Sequence, residues 1–255
     1  MKTRLTPTVL RFDSLPSTNT EAAGQAARGA PEGLCVVARE QTAGRGRRER
    51  MWVSPKDAGL YLSVVLRPAL DARDWPLVSL AAALAARDAL AESCRLEADI
   101  KWPNDLLCGG RKLCGILAET VETRRGRAVV LGLGVNLRRG SFPEEIRDTA
   151  TSVEEQTGRA PDAERLLEAV LRSLAARYET LHAPGGAREL LRDWEARSSF
   201  ARGRRVRVSL AEGTFEGTTR GLSDDGALRV ETDAGEMKIV RAGDVTAVRE
   251  ATNAE

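Results

Sequence analysis

Apolar and polar positions recur with two distinct periods along the chain, and those periods predict a mixed α and β body followed by a small all-β module. Leu60, Leu62, Val64 and Leu66 alternate with Tyr61, Ser63 and Val65, the pattern of a strand with one apolar face and a partly buried second. Leu34 to Arg39 predicts another strand. Leu96, Ala98, Ile100 and Trp102 share a face opposite Glu97, Asp99 and Lys101, and Pro103 ends the run. Leu106 to Cys108 and Leu113 to Thr120 flank Gly109-Gly110-Arg111-Lys112, which predicts a hairpin with Lys112 at the mouth of its second strand. Val129, Leu131, Leu133, Val135 and Leu137 form one face of a further strand; Val130, Gly132, Gly134 and Asn136 form the other. Glycines there leave an open floor with Asn136 above it.

Helical signals lie between and after these strands. Ser17-Thr18-Asn19-Thr20-Glu21 offers capping hydroxyls before an alanine-rich stretch that ends at Ala27, ahead of Gly29 and Pro31. Pro76 to Ala91 predicts a helix with a small-residue face. From Ser141 to Arg197 the period turns helical: Leu166, Leu167, Val170, Leu171, Leu174 and Tyr178 follow Pro161-Asp162, and a second helix runs near Ala187 to Arg197. Five short runs then follow, Val206 to Leu210, Thr214 to Thr219, Leu228 to Thr232, Glu236 to Val240 and Val245 to Arg249, separated by glycine turns. They predict an SH3-like barrel, with domains of residues 1–200 and 201–255.

Composition narrows the chemistry. Among 255 residues, 39 Lys and Arg oppose 37 Asp and Glu, so the net charge of +2 gives no global field that demands a nucleic acid. No apolar run suffices for a membrane span, and the start from Met1 to Phe12 lacks the apolar core of a secretion signal, so the expected setting is cytoplasmic. The single histidine, His182, sits at a helix exit, and four cysteines (Cys35, Cys94, Cys108, Cys114) show no Cys-x-x-Cys pair, so zinc, disulfide and Ser-His-Asp chemistries lack their parts. Only five of the cations are lysine (Lys2, Lys56, Lys101, Lys112, Lys238), so each place where lysine is kept in so arginine-rich a chain is of interest.

Gly44-Arg45-Gly46-Arg47-Arg48-Glu49-Arg50 has too little apolar content for a regular element and reads as a loop over Gln41 to Met51. Its glycines allow close backbone approach and its arginines offer forked donors for phosphate and carboxylate oxygens. By itself such a loop also fits a solvated face or a nucleic-acid clamp. Joined to an open-faced strand and an isolated lysine, it describes a site for a small anion bearing phosphates.

Taken in order, Ser17-Thr18-Asn19, Gln41-Thr42-Ala43-Gly44-Arg45-Gly46-Arg47, Lys101-Trp102-Pro103-Asn104-Asp105-Leu106, Arg111-Lys112-Leu113-Cys114-Gly115-Ile116-Leu117 and Gly132-Leu133-Gly134-Val135-Asn136-Leu137 resemble the biotin-protein ligases over essentially the whole chain. The resemblance implies an α+β fold, a mixed sheet flanked by helices like that of class II aminoacyl-tRNA synthetases, plus the SH3-like module. It implies an enzyme that makes biotinyl-5′-adenylate from biotin and ATP, with Mg2+ carried by the nucleotide, and then moves biotin to a lysine of a biotin carboxyl carrier domain. Lys112 then reaches the carboxylate and α-phosphate; Arg45 and Arg47 contact the acyl end and the adenylate phosphate; Arg50 reaches the nucleotide side and Arg48 is solvated. Ser17, Thr18, Asn19 and Gln41, with Gly44, Gly46 and Gly115, border biotin, while Asn104 and Asn136 border ATP or its metal.

Several positions keep two readings. Ser17 to Asn19 also serve as a helix cap. Trp52 either stacks on adenine or packs in the core; Trp102 is core. Asp105 either steers and deprotonates the acceptor lysine or caps a turn. Glu49 stands where the family often has glycine, which stiffens the loop or pairs Glu49 with an arginine. Four arginines in six residues repel one another, so the loop is expected to be mobile until an anion arrives. Only 16 residues precede Ser17, too few for the DNA-binding helix-turn-helix of regulatory members, and the homodimer question stays open. A lipoate-protein ligase and a nucleic-acid-binding module are the competing functions.

Overall fold

The computed structural model describes residues 5–140 and 142–248; the final residue of the fifth C-terminal run, Arg249, lies outside them. Seven strands form the main sheet: β1 (Thr8–Leu15), β2 (Leu34–Gln41), β3 (Gly59–Leu66), β4 (Asp99–Lys101), β5 (Asp105–Cys108), β6 (Arg111–Thr123) and β7 (Gly126–Asn136). Their order is β1-β2-β3-β7-β6-β5-β4, with β1 parallel to β2 and every other pair antiparallel. The sheet is therefore mixed. The strand expected over residues 96–102 is shorter, yet Leu96, Ala98, Ile100 and Trp102 are all buried on one side.

Alternation assigns the two faces of the sheet. Leu60, Leu62, Val64 and Leu66 of β3 and Val129, Leu131, Leu133 and Val135 of β7 enter the large core. The same core takes α2 (Pro76–Cys94), which packs on β4, β5 and β6, α4 (Ala163–His182), which reaches β3, and α5 (Gly186–Ala196), which packs on α2 and α4. Helix α2 is buried nearly all round, from Leu77 to Leu90, because it lies between the sheet and α4. Its five buried alanines between Ala81 and Ala86 let both layers approach closely. Asp162 caps α4 by accepting from the Glu164 and Arg165 amides, and a shorter helix, α3 (Val153–Thr157), was not foreseen.

The other face is covered only in part. Helix α1 (Thr18–Ala27) buries Ala22 and Ala26 on Val36, Val65, Ala128 and Val130. Further along, the β7 residues on that face are Gly132, which lies against Asn19 of α1, and then Gly134 and Asn136, so this part of the sheet presents its smallest side chains.

A five-stranded antiparallel SH3-like sheet follows: β8 (Arg202–Ser209), β9 (Thr214–Leu222), β10 (Leu228–Glu231), β11 (Met237–Val240) and β12 (Asp244–Ala247), ordered β11-β10-β9-β8-β12. It docks on the main body where Trp102 Nε1 donates to the Gly226 carbonyl at 3.0 Å. Trp102 is core, as its face predicted.

Three sequence expectations are revised. Strand β1 was missed because its residues are mostly exposed or half-buried, which blurs the alternation. Ser17 occupies the position before α1, but its hydroxyl makes no capping bond; the Thr18 amide is instead bound by Gln41 Oε1 at 2.8 Å. The hairpin turn is only Gly109-Gly110, both with positive φ (57° and 75°), so Arg111 and Lys112 are strand residues.

Candidate active site

This glycine-bearing part of the sheet is the floor of a cavity of about 1090 Å3, closed on its sides by the arginine segment, residues 142–150 and the C-terminal sheet. Every sequence-predicted site residue except Gly44 lines it: Ser17, Thr18, Asn19, Gln41, Arg45, Gly46, Arg47, Arg50, Trp52, Asn104, Asp105, Lys112, Gly115 and Asn136. Gly44 lies behind the wall. A Cβ there would fall 2.3 Å from the Trp52 carbonyl oxygen and 2.8 Å from Ser54 Oγ.

One end of the cavity is amide- and hydroxyl-lined. Thr18 Oγ1 donates to Gln41 Oε1 at 3.0 Å, and Gln41 Nε2 donates to Ser54 Oγ at 2.8 Å. Ser63 Oγ, fully buried in β3, lies 2.8 Å from Thr18 Oγ1 and 2.6 Å from Asn19 Oδ1. Asn19 Nδ2 donates to Glu119 Oε2 at 2.7 Å, and the same oxygen holds Arg45 Nη2 at 3.0 Å. A continuous polar chain thus links this end to the arginine segment. Ser63, Ser54 and Glu119 escaped sequence reasoning; for Ser63 the signal was a lone hydroxyl on the second face of an otherwise apolar strand.

Trp52 lies in the middle of the floor. A Cβ on Gly134 would meet its Nε1 at 2.4 Å, and one on Gly115 would meet its Cζ3 at 3.0 Å, so the indole rests on two glycines. It is neither core nor solvent-facing, and its Nε1 has no acceptor among the described residues.

At the far end a β-bulge decides the chemistry. Asp105 pairs with Gly115 and Leu106 with Cys114, but Leu107 pairs with Lys112, so one residue of β6 is extra. The bulge turns Lys112 to the face of Gly115 and Asp105, where regular alternation would send it to the opposite side. Its Nζ sits 2.6 Å from Asp105 Oδ1 and 5.4 Å from the centre of the Trp52 ring. The ion contact lacks the angles of a directed hydrogen bond and is held by charge. The Lys112 backbone is clamped: its amide donates to the Thr149 carbonyl at 2.7 Å, and its carbonyl accepts from the Thr151 amide at 2.9 Å. Asn136 Nδ2 joins the clamp through the carbonyls of Lys112 (3.3 Å) and Thr151 (3.0 Å). Asn136 Nδ2 thus braces the Lys112 backbone, while the residue also lines the cavity.

The arginine segment is more ordered than a plain loop. Its base is bridged at Gln41 and Ser54 and again at Arg45 and Met51, and its tip is a short 3-10 turn, Arg47–Glu49. Arg48 and Glu49 have positive φ (54° and 60°), a left-handed bend that costs a non-glycine residue about 1–2 kcal/mol. A glycine would take this bend without that cost. The arginines take carboxylates from elsewhere rather than from Glu49. Arg45 pairs with Glu119, and both Arg48 and Arg50 pair with Asp244 of β12. Arg48, expected to be solvated, also donates to the Ser209 carbonyl at 3.3 Å. Arg47 Nη1 donates to Asn104 Oδ1 at 3.1 Å, and Asn104 Nδ2 donates to the Ile116 carbonyl at 2.7 Å, which ties this arginine to β6. Burial pulls the Arg47 pKa down, partly offset by Asp244. An arginine so short of water is poised for an anion.

Lys101, Phe142, Ile146 and the Thr149-Ala150 segment also border the cavity and were not predicted as site residues. His182 ends α4, as expected, with Nδ1 2.7 Å from the Tyr178 carbonyl and Nε2 accepting from the Ala69 amide, remote from this chemistry.

Comparison with known proteins agrees with the geometry. The Biotin/lipoate A/B protein ligase family matches residues 11–136, and the biotin protein ligase C-terminal domain matches residues 202–246. The bifunctional ligase/repressor BirA of Bacillus subtilis (strain 168) is 37% identical over 237 residues, 92% of this chain and 72% of that protein. The biotin--[acetyl-CoA-carboxylase] ligase of Mycobacterium tuberculosis is 38% identical over 239 residues, 91% of this chain and 86% of that protein. Among solved structures, biotin protein ligase from Aquifex aeolicus in complex with biotin and ATP aligns with a TM-score of 0.83 and 28% identity, covering 95% of this chain and 99% of that one. Matched at both of its sheets and over nine-tenths of its length, the chain belongs to the biotin protein ligase family, whose members are enzymes of the ligase class.

Proposed function

We propose that this protein joins biotin to AMP at the expense of ATP and then transfers the biotinyl group to a lysine of a carboxylase carrier domain. The single observation that carries this reading is the bulge-directed Lys112, set over Asp105 at the end of a glycine floor whose other end is lined by hydroxyls and amides. A flat bicycle with a ureido group and an acid tail suits that gradient.

In the first step two anions must meet. The biotin carboxylate attacks the α-phosphorus, and repulsion between them is offset by cations fixed beside both. Lys112 and Arg47 are our candidates for the catalytic pair. Arg45 reaches the acyl end from above, and Arg50 and Asn104 border the nucleotide. Ser17, Thr18, Asn19 and Gln41 take the ureido end, where the Thr18–Gln41 bonds and the Ser63–Asn19 bond fix donor and acceptor directions before biotin arrives. Trp52 supports the apolar body from the floor, a place better suited to biotin than to adenine. Asn136 acts through Lys112.

In the second step a carrier lysine must lose its proton before attacking the mixed anhydride. Asp105, only about one-sixth exposed at its side chain and paired with Lys112, is the carboxylate in reach. Mg2+ accompanies ATP in this proposal. Among the described residues no group of three His, Cys, Asp or Glu could hold a metal, and Asp105 and Asp244 are engaged by cations, so the phosphates would be its principal ligands. We assign residues 1–200 to the chemistry and 201–255 to closing the cavity, and we place the protein in the cytoplasm with its substrates. Lipoate is disfavoured because the curated relatives are named for biotin.

The test is incubation with radiolabelled biotin, ATP and a panel of carrier domains. A labelled adenylate followed by a labelled carrier lysine is expected; neither product, or lipoate used in preference, sinks the assignment.

A further inference from the structure

We propose that Lys101 is a catalytic residue of adenylate formation, its ammonium receiving the diphosphate as that group leaves the α-phosphorus. The assignment rests on the reading that Lys112 faces the acid and the α-phosphate, and it concerns the opposite side of the same phosphorus. Across the cavity floor the strands run β7, β6, β5, β4. Asn19 stands against Gly132 of β7, and Lys112 and Gly115 belong to β6. Asp105 of β5 pairs with Gly115, and Lys101 of β4 pairs with Asp105. Directly paired residues share a face, and both Lys101 and Asp105 line the cavity, whereas the adjacent Ile100 is buried in the core behind. With neighbouring strands about 4.8 Å apart, Lys101 lies two strands beyond Lys112 on the side away from Asn19.

Displacement at phosphorus runs in line, with the attacking and leaving oxygens on opposite sides. An acid held with its ureido end near Asn19 approaches Lys112 from the β7 side, so the leaving group must depart toward β5 and β4. As the bond from the carboxylate oxygen to the α-phosphorus forms, the bond from that phosphorus to the bridging oxygen breaks. The electron pair stays on that oxygen, and the diphosphate carries away one more negative charge than it bore within ATP. A cation is needed where that charge grows.

Lys101 is suited to the place. Burial pulls its pKa below the ordinary lysine range, with Asp105 drawing it back up, Lys112 lowering it, Asp244 raising it and Arg50 lowering it. An ammonium deprived of water and opposed by neighbouring cations is stabilised most by an arriving anion. Arg50 and Arg204 line the same cavity and supply the wider positive field. Where arginine supplies 34 of 39 cations, a lysine kept here offers a compact charge that can follow a departing group.

Lys101→Gln and Lys101→Arg in the full chain test this. ATP–diphosphate exchange with biotin reports adenylation in both directions, and chemically made biotinyl-5′-adenylate plus a carrier domain reports transfer alone. Lys101→Gln is expected to slow adenylation about 100-fold and raise the KM for diphosphate in the reverse direction, with transfer changed less than about twofold. Lys101→Arg is expected to recover part of the loss. Unchanged exchange and diphosphate KM would overturn the assignment, and so would equal loss of both steps, the mark of a folding defect or of a role in transfer. An unsubstituted chain without exchange would sink the ligase reading, and this assignment with it.

Discussion

A Cβ added to Gly134 would fall 2.4 Å from Nε1 of Trp52, so the indole occupies the volume that the missing side chain leaves. The neighbouring glycines on this face obey the same rule: a Cβ on Gly132 would meet Asn19 Oδ1 at 2.2 Å, and one on Gly115 would meet Lys112 Cε at 3.2 Å. From Gly132 to Asn136 the strand advances about 13 Å. Along that length it sets an amide, an aromatic ring and then a clamped lysine backbone, the order in which a substrate with a polar head, an apolar body and an acid tail presents its parts.

Gly134→Ala should therefore damage ligand binding before it damages the fold. The indole can tilt only into the cavity, so the overpacking should cost about 1–3 kcal/mol of stability and weaken biotin binding about tenfold. Titration calorimetry and thermal melting of the variant check both numbers. An unchanged biotin affinity would show that Trp52 does not border the biotin body.

Lys112 and Asp105 touch, yet their substitutions should separate the two half-reactions. Lys112→Ala is expected to lose adenylation about 100-fold or more while transfer from supplied adenylate falls much less. Asp105→Asn keeps the shape but not the charge, so adenylation should stay within about tenfold and transfer should drop about 100-fold. Diphosphate release and carrier labelling, measured separately, distinguish them. Loss of the same single half-reaction in both variants would mean that the pair serves one step only.

The motif residues were legible because their chemistry is written in residue type and spacing, and the strand alternation correctly exposed Gly132, Gly134 and Asn136 on one face. Two kinds of information were not. The direction of Lys112 depends on a bulge, and a one-residue insertion relative to a partner strand is invisible without knowing the partner. Glu119 and Asp244 lie 74 and 194 residues from the arginines they hold, so no local pattern could reveal that these carboxylates, rather than the adjacent Glu49, stand in for the ligand's charge. Strand β1 was lost for the opposite reason: it is identified by its backbone pairing with β2, while its side chains carry too little apolar contrast.

The pairs that tie the arginine segment are individually weak. Arg45 and Glu119 are about half and one-third exposed, and such contacts contribute about 0.2–1 kcal/mol each. Phosphate and carboxylate groups of the substrates should outcompete them and hold the segment more firmly. Limited trypsin digestion should cut between Arg45 and Arg50 in the free protein, and biotin plus ATP should slow that cut about fivefold or more. Glu119→Gln should speed cutting of the free protein only. Equal rates with and without substrates would contradict the ordering.

Cys35 and Cys114 give a test with a defined pH direction. Burial pushes both thiols up to about 12 from an ordinary value of 9.0, whereas Cys94 and Cys108 are partly exposed. The neutral thiol is the form that the fold accommodates, so these two groups contribute stability fully below about pH 9. That contribution fades as the pH rises toward 12, because the unfolded chain then releases protons that the folded chain retains. Denaturant midpoints measured from pH 7 to 11 should accordingly fall above pH 9, and replacing Cys114 by alanine should flatten the fall even as it costs packing. At pH 8, a thiol reagent should label Cys94 and Cys108 in the native protein and reach Cys35 and Cys114 only in denaturant. Rapid native labelling of Cys114 would mean that the strand bearing Lys112 opens to solvent, which is incompatible with the clamped lysine described above.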